Sequence, residues 1–312
     1  MTAHKKQGSI TITEHIYRIG IVSGSALYKK SDKTCSVIIF LYWKKGPYPD
    51  IFFLTLFYGG FTVQGLVVEN SFMAEISDRI KRVKETIASA CARSGRESGD
   101  VKLVVVTKSA EIDAVEKVIR LGYTELGENR VQQLKKVSSQ IIEILQGDNG
   151  NSSLLKKVKW HMIGHLQRNK VRQVLPIATL IHTVDTLRLA EEINNAALKM
   201  NLRPKVLMQV NTSNEPQKYG VPVGAATHLA EQIETLSHIK LAGLMTMAPL
   251  TRDKGVVRAC FVRAAELFAE MRGERIVGPH FTELSMGMSS DYEVAVEEGA
   301  TILRIGSAIF AG

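Results

Sequence analysis

Lys108 closes a run of apolar and β-branched residues, Val101 to Thr107, so its amine would stand at the open end of a buried strand. In a dry strand mouth desolvation disfavours the ammonium form and frees the amine to condense with an aldehyde. A lone lysine at a strand end is otherwise a solvated terminus. The chemical reading gains weight from the far end of the chain. There Thr282-Glu283-Leu284-Ser285-Met286-Gly287-Met288-Ser289 and Leu303-Arg304-Ile305-Gly306-Ser307-Ala308-Ile309-Phe310 each pass from a short apolar strand into glycine and hydroxyl-bearing residues. A phosphate site needs backbone N–H groups that approach an anion closely, and such residues allow it. Together these features suggest a bound phosphorylated cofactor.

Metal and disulfide chemistry find little support. His161 and His165 are four apart but straddle a strand end and a loop, not a helix face. Cys35, Cys91 and Cys260 lie far apart with no C-x-x-C spacing, which excludes a disulfide framework and makes a reducing cytoplasm the expected compartment.

The elements that must position these residues alternate with regularity from Met73 onward. Ile76, Ile80, Val83 and Ile87 mark one face of a helix, and Val101–Thr107 reads as a strand buried on both faces. Seven further strands are expected at Tyr123–Leu126, Trp160–Gly164, Ile181–Val184, Lys205–Val210, Leu241–Met247, Thr282–Met286 and Ile302–Ile305. The intervening segments carry apolar residues at helical spacing, such as Val131, Leu134, Ile141 and Leu145. Eight strands alternating with helices over about 240 residues fit a (β/α)8 barrel, in one domain. The competing architecture, an open doubly wound sheet, usually carries a Gly-rich first turn, and no G-x-G-x-x-G follows the first strand. The helix of residues 74–93 would fill the gap between strands eight and one. In such a barrel the reactive residues collect where strands end, which here means Lys108, Glu128-Asn129, His165, Asp185, Asn211, Met247, Ser285-Met286-Gly287 and Arg304-Gly306-Ser307.

Residues 1–72 differ in kind. They hold 12 of the 20 aromatic residues and basic pairs at Lys5-Lys6, Lys29-Lys30 and Lys44-Lys45. Ile51–Val68 is an uncharged stretch long enough to raise the question of a membrane span, but Gly59, Gly60, Gly65 and Gln64 dilute it. Its late start and the lack of a clean cleavage site argue against a signal peptide. The reading adopted is that translation begins at Met73, with 1–72 a non-native or disordered extension and 73–312 the barrel domain. The formal charge of +9 is scattered along the chain, which suits a solvated surface better than a nucleic-acid face.

Val104-Val105-Val106-Thr107-Lys108, Gly127-Glu128-Asn129-Arg130-Val131-Gln132, the run Trp160 to Val171 containing His161-Met162-Ile163-Gly164-His165, and the two C-terminal motifs resemble the pyridoxal phosphate homeostasis protein family. These are single-domain relatives of the alanine racemase N-terminal barrel, and the resemblance spans residues 73–312 in order. It implies that Lys108 forms the internal aldimine with pyridoxal 5′-phosphate (PLP) and that Arg304 faces the pyridine nitrogen. It further implies that Ser285, Gly306 and Ser307 hold the phosphate end, that Met286 belongs to the cofactor site, and that Asn129 and His165 line the ring pocket. Lys218 matches a family lysine able to contact or transfer cofactor. Simpler readings stand beside these: Gly306 as a strand-end turn, Ser285 as a buried hydroxyl bonded to its own backbone, His165 as a satisfied pocket histidine, Glu128 as a helix cap and Trp160 as core. Departures from the pattern are Ala110, where many relatives carry a second lysine, Arg130, where an aromatic is common, and Ser307, where threonine is common.

A guanidinium is no acid at neutral pH, so an arginine opposite the ring nitrogen leaves the cofactor a weak electron sink. A racemase also needs a second acid/base on the far side of the cofactor, and none is evident. The expected function is therefore a monomeric, cytoplasmic PLP carrier in cofactor homeostasis, not an enzyme, with PLP-dependent apo-enzymes as recipients and no metal, nucleic acid or membrane partner. Two rivals remain: an amino-acid racemase using Lys108 as base, and a barrel binding another phosphorylated ligand without covalent chemistry.

Overall fold

The computed structural model describes residues 75–147 and 153–311 with their side chains, 71–74 and 152 as backbone, and before them only the backbone of six strands. These strands are Gln7–Ile12, His15–Gly20, Ser25–Asp32, Cys35–Trp43, Phe52–Tyr58 and Phe61–Val67. The chain divides into two compact units, Met1–Ala74 and Glu75–Gly312. In the first, the leading two strands pair antiparallel and the other four form a sheet in consecutive order. Two of them, Phe52–Tyr58 and Phe61–Val67, take up most of the uncharged stretch. The segments between these strands, and every side chain before Glu75, lie outside the described residues, and so does the expectation of a non-native or disordered 1–72. Among the described residues no helix is long and apolar enough to cross a membrane.

The second unit is a closed barrel of eight parallel strands: β1 (Lys102–Val106), β2 (Glu125–Glu128), β3 (Lys159–Met162), β4 (Ala178–Val184), β5 (Lys205–Asn211), β6 (Lys240–Met245), β7 (Glu283–Ser285) and β8 (Ile302–Ile305). The order β4-β3-β2-β1-β8-β7-β6-β5 closes because β4 also pairs with β5, which excludes the open sheet. Helices α1 (Ser71–Arg93), α2 (Ile112–Arg120), α3 (Val131–Gly147), α4 (Leu187–Lys199), α5 (Val223–Glu234), α6 (Lys254–Gly273), α7 (Tyr292–Glu297) and α8 (Ser307–Phe310) accompany the strands.

The pleat of each strand sorts side chains into two compartments. Val104, Leu180, Leu207, Ala242, Met245 and Ile302 form an inner cluster. Leu126, Trp160, Met162, Ile181, Met208 and Ile305 join the helices in a continuous outer core. Burial of Ile76, Ile80, Val83 and Ile87 fixes α1 by its apolar face. Arg79 donates to the carbonyls of Ile309 and Phe310, and Arg93 pairs with Glu293 and Glu297, so α1 lies beside the segments that flank β8, as the helical pattern predicts.

β2 begins later than its apolar pattern predicts. After α2 the chain turns through Gly122 (φ +93°), with Gly122 N bonded to Ile119 O and Tyr123 N to Val118 O, a C-terminal capping turn that delays the strand to Glu125. Cys91 and Cys260 are free and buried, while the side chain of Cys35 lies outside the described residues.

Candidate functional site

Adjacent strands β1 and β8 carry the residues with the clearest chemistry. They pair from Ile302↔Lys102 to Ile305↔Val105. Beyond β8, Gly306 packs so closely on β1 that a Cβ there would stand 2.9 Å from Val106 O and 3.1 Å from Val106 Cβ. Lys108 follows two residues after Val106, on a turn closed by Ala110 N donating to Thr107 O at 2.9 Å. It is exposed, which corrects the expectation of a desolvated amine in a dry mouth. The strand ends before Lys108, and the long aliphatic stem carries the amine out to water.

Beneath the turn, buried Thr107 donates from Oγ1 to Glu128 Oε1 at 2.5 Å. The other carboxylate oxygen, Oε2, is buried without a hydrogen-bond partner among the described residues. Burial pushes the Glu128 carboxyl up, against the hydrogen bonds from Thr107 and the Asn129 backbone and the attraction of Lys108.

The loop after β3 closes over the next sector. Gly164 lies against Asn129 so tightly that a Cβ would fall 2.0 Å from Asn129 O, which only glycine permits. This contact brings half-buried Asn129 and the His165 segment together. The exposed His165 ring stacks on Tyr219, with centroids 4.2 Å apart and planes at 18°. Its Nδ1 stands 3.8 Å from Asp185 Oδ2. Burial pushes the Asp185 carboxyl up while His165 pulls it down. Lys218, next to Tyr219, donates to Ala248 O at 3.0 Å and pairs with Glu215, so it is a bonded loop residue and not a freely solvated one.

Arg304 is buried in the barrel, donating from Nη1 to Ser285 Oγ at 2.6 Å and from Nη2 to Thr246 O at 2.9 Å. Burial lowers its pKa to about 10, opposed by the Asp291 carboxylate, so the guanidinium stays charged at neutral pH. Ser285 Oγ also lies 3.0 Å from His182 Nδ1. The Ser285 hydroxyl points into the barrel, where Arg304 and His182 engage it. The Met286 side chain is fully buried in the outer core among the helices. The turn at this end is built from Gly306, exposed Ser307 and Ser289, which the C-terminal motif includes without a role of its own. Ser289 Oγ accepts from Gly306 N at 3.3 Å and Ala308 N at 3.2 Å, tying the two C-terminal motifs into one turn. The N–H of Ser307, first residue of α8, has no acceptor within its own helix.

Among the described residues no cluster of three His, Cys, Asp or Glu side chains suited to a metal occurs. The assembled site has one amine, one buried guanidinium, a glycine-serine turn and a stacked aromatic pair. Such a set offers an amine able to condense with a carbonyl, a fixed positive charge, and backbone at the turn able to approach an anion closely.

Comparison with known proteins agrees with this chemistry. The family model described as alanine racemase, N-terminal domain matches residues 80–312. A pyridoxal phosphate homeostasis protein of Aquifex aeolicus is 38% identical over 234 residues, 75% of this chain and 96% of the relative. The protein of that name from Escherichia coli K12 is 34% identical over 240 residues, 76% and 97% of the two chains. Among solved structures, PipY of Synechococcus elongatus with PLP bound superposes with a TM-score of 0.62 at 31% identity, covering 73% of this chain and all of PipY.

Proposed function

The chain belongs to the alanine racemase N-terminal domain family, among the pyridoxal phosphate homeostasis proteins, and on that premise we propose that it holds PLP covalently at Lys108 and buffers the supply of that cofactor. The observation that carries this reading is the adjacency of β8 and β1. A charged, buried guanidinium on β8, the close-packed Gly306-Ser307 turn after it and Lys108 on the turn just past β1 thus lie on neighbouring segments.

When bound, the cofactor supplies an aldehyde that bonds amines reversibly and an electron-withdrawing pyridine ring. Lys108 is the attachment point, and its exposure keeps that bond open to exchange. Arg304 faces the ring nitrogen as a pure donor, anchored by Ser285 and Thr246 so that it cannot follow the ligand out. Gly306 and Ser307 would receive the phosphate, at a turn that packs on Val106 too closely for a side chain at 306. Asn129 and the His165–Tyr219 stack border the ring pocket.

A carrier is favoured over a racemase on two grounds. The relatives that span nearly their whole length in the alignment are named as homeostasis proteins. The residue placed opposite the ring nitrogen is a guanidinium that retains its proton, so the ring withdraws electrons weakly. The carrier acts in the cytoplasm as a monomer through its 75–312 unit and delivers PLP to dependent apo-enzymes. Three measurements test the proposal. A PLP titration followed by visible absorption should saturate at one equivalent, and the loaded protein should restore activity to a PLP-dependent apo-enzyme. It should also leave the α-proton of added amino acids unexchanged in deuterated water. Rapid exchange would replace the carrier by the racemase, and the lack of a saturable band would reject PLP as ligand.

A further inference from the structure

Five polar side chains cross the barrel from the mouth to the opposite face. Arg304 Nη1 lies 2.6 Å from Ser285 Oγ, which lies 3.0 Å from His182 Nδ1. His182 Nε2 lies 2.9 Å from His161 Nδ1, and His161 Nε2 lies 2.7 Å from Glu125 Oε2. The three central residues are buried, and the rings of His161 and His182 meet at 54° with centroids 5.2 Å apart. Glu125 opens β2 at the strands' N-terminal ends and lines a cavity of about 440 Å³ there with Lys102, Lys159, Arg203 and Lys205. Its other oxygen, Oε1, accepts from Lys159 Nζ at 2.8 Å.

The ends of this chain dictate its direction. A guanidinium only donates and a carboxylate only accepts. With both imidazoles neutral, Ser285 accepts from Arg304 and gives its own proton to His182 Nδ1. His182 must then carry its proton on Nε2 and donate to His161 Nδ1, and His161 must donate from Nε2 to Glu125. Burial holds His182 well below the usual histidine range, in keeping with a neutral ring, and the nearby cations Arg304 and Lys102 add to the effect. Although burial works to raise it, hydrogen bonds from His161 and Lys159 bring the Glu125 carboxyl down to about 2, in keeping with a carboxylate acceptor. A hydroxyl that donates is a stronger acceptor in turn, so a one-way chain tightens the bond on Arg304. Reversed, the chain has His182 also donating to Ser285 Oγ and leaves the hydroxyl proton without an acceptor in Arg304.

We propose that Glu125, on the face of the barrel opposite the cofactor site, is a positioning residue for Arg304: by accepting only, it sets the direction of the His161–His182–Ser285 relay and so fixes the guanidinium that meets the ligand. This rests on the PLP reading for its consequence, but not for the tautomers themselves.

The test is Glu125→Gln in the full chain. Glutamine keeps one oxygen, which Lys159, a donor only, claims, and the amide N–H₂ then faces His161 and demands an acceptor at Nε2. Long-range ¹H–¹⁵N correlation of the cofactor-free protein at neutral pH reads the result. The wild type should show both rings protonated at Nε2 alone, and E125Q should move both to Nδ1. PLP should dissociate about tenfold more readily from E125Q, the scale of one weakened hydrogen bond to a charged group, with a displaced visible band. Adding Lys159→Met frees the glutamine oxygen for His161 and should restore both the Nε2 tautomers and the affinity, a rescue that general loss of packing would not give. The proposal is overturned by a wild-type His182 protonated at Nδ1, by a doubly protonated His161 in the wild type, or by an E125Q protein with unchanged tautomers. The wild-type spectrum needs no variant to fold. Correct tautomers without PLP binding would leave the relay standing and reject the cofactor.

Discussion

The rim of the barrel mouth and the layer just beneath it hold the same kinds of residue under opposite conditions. Lys108, His165 and Ser307 on the rim are exposed, and the clearest contact among them is a stack against Tyr219, itself 59% exposed. Arg304, Ser285 and His182 below are buried, each held by at least two hydrogen bonds. The difference suits a protein that must hold a reactive molecule and release it. Under the proposed function, the groups that would make and break bonds sit on turns in water, and the group that would orient the ligand is built into the strands.

Removing a buried partner should break this comparison most severely. Arg304→Met strips the donor from Ser285 Oγ and Thr246 O together, and is expected to cost about 3 kcal/mol of stability in urea unfolding as well as PLP binding. If unfolding is unchanged, Arg304 is not part of the rigid layer. Gly164→Ala follows, because its Cβ would meet Asn129 O at 2.0 Å; a loss of about 2 kcal/mol and displaced Asn129 and His165 backbone resonances are expected.

Two carboxyls sharpen the contrast through pH. The folded pKa of Glu125 is about 2 against an ordinary 4.5, so its stabilisation is full above 4.5 and is lost as pH falls toward 2. Glu128 is shifted the other way by burial, so the native state favours its proton and stability declines as pH rises through and above the ordinary carboxylate range. Glu125→Gln should flatten the acid limb of a stability–pH curve, and Glu128→Gln the limb above it. The smallest effect belongs to the rim. Tyr219→Ala removes one exposed stack, so its cost to unfolding should stay below about 1 kcal/mol while PLP exchanges faster.

Much of the barrel is legible in the chain because eight short runs of β-branched and apolar residues lie at barrel spacing, and β8 falls at the residues its pattern marks. The departures have physical causes. Ser285 ends β7 with its hydroxyl in the barrel, while the next side chain, Met286, packs in the outer core, a division between adjacent residues that the motif does not reveal. Lys108 lies past its strand and not at its end. The relay was illegible because Glu125, His161, His182, Ser285 and Arg304 are spread over five strands. Their shared direction exists only once the barrel closes in register, as with Gly127↔His161 and His161↔Leu180. Glu128 was visible in its motif, but its unpartnered oxygen depends on burial that composition does not reveal.

The claim that an exposed rim lysine captures the ligand over a rigid seat is tested most directly by borohydride reduction of the PLP-loaded protein and peptide mass mapping. The account predicts one pyridoxyl adduct, on Lys108, abolished by Lys108→Ala with the unfolding midpoint unchanged. An adduct on Lys218 or another lysine, or its persistence in Lys108→Ala, would contradict it.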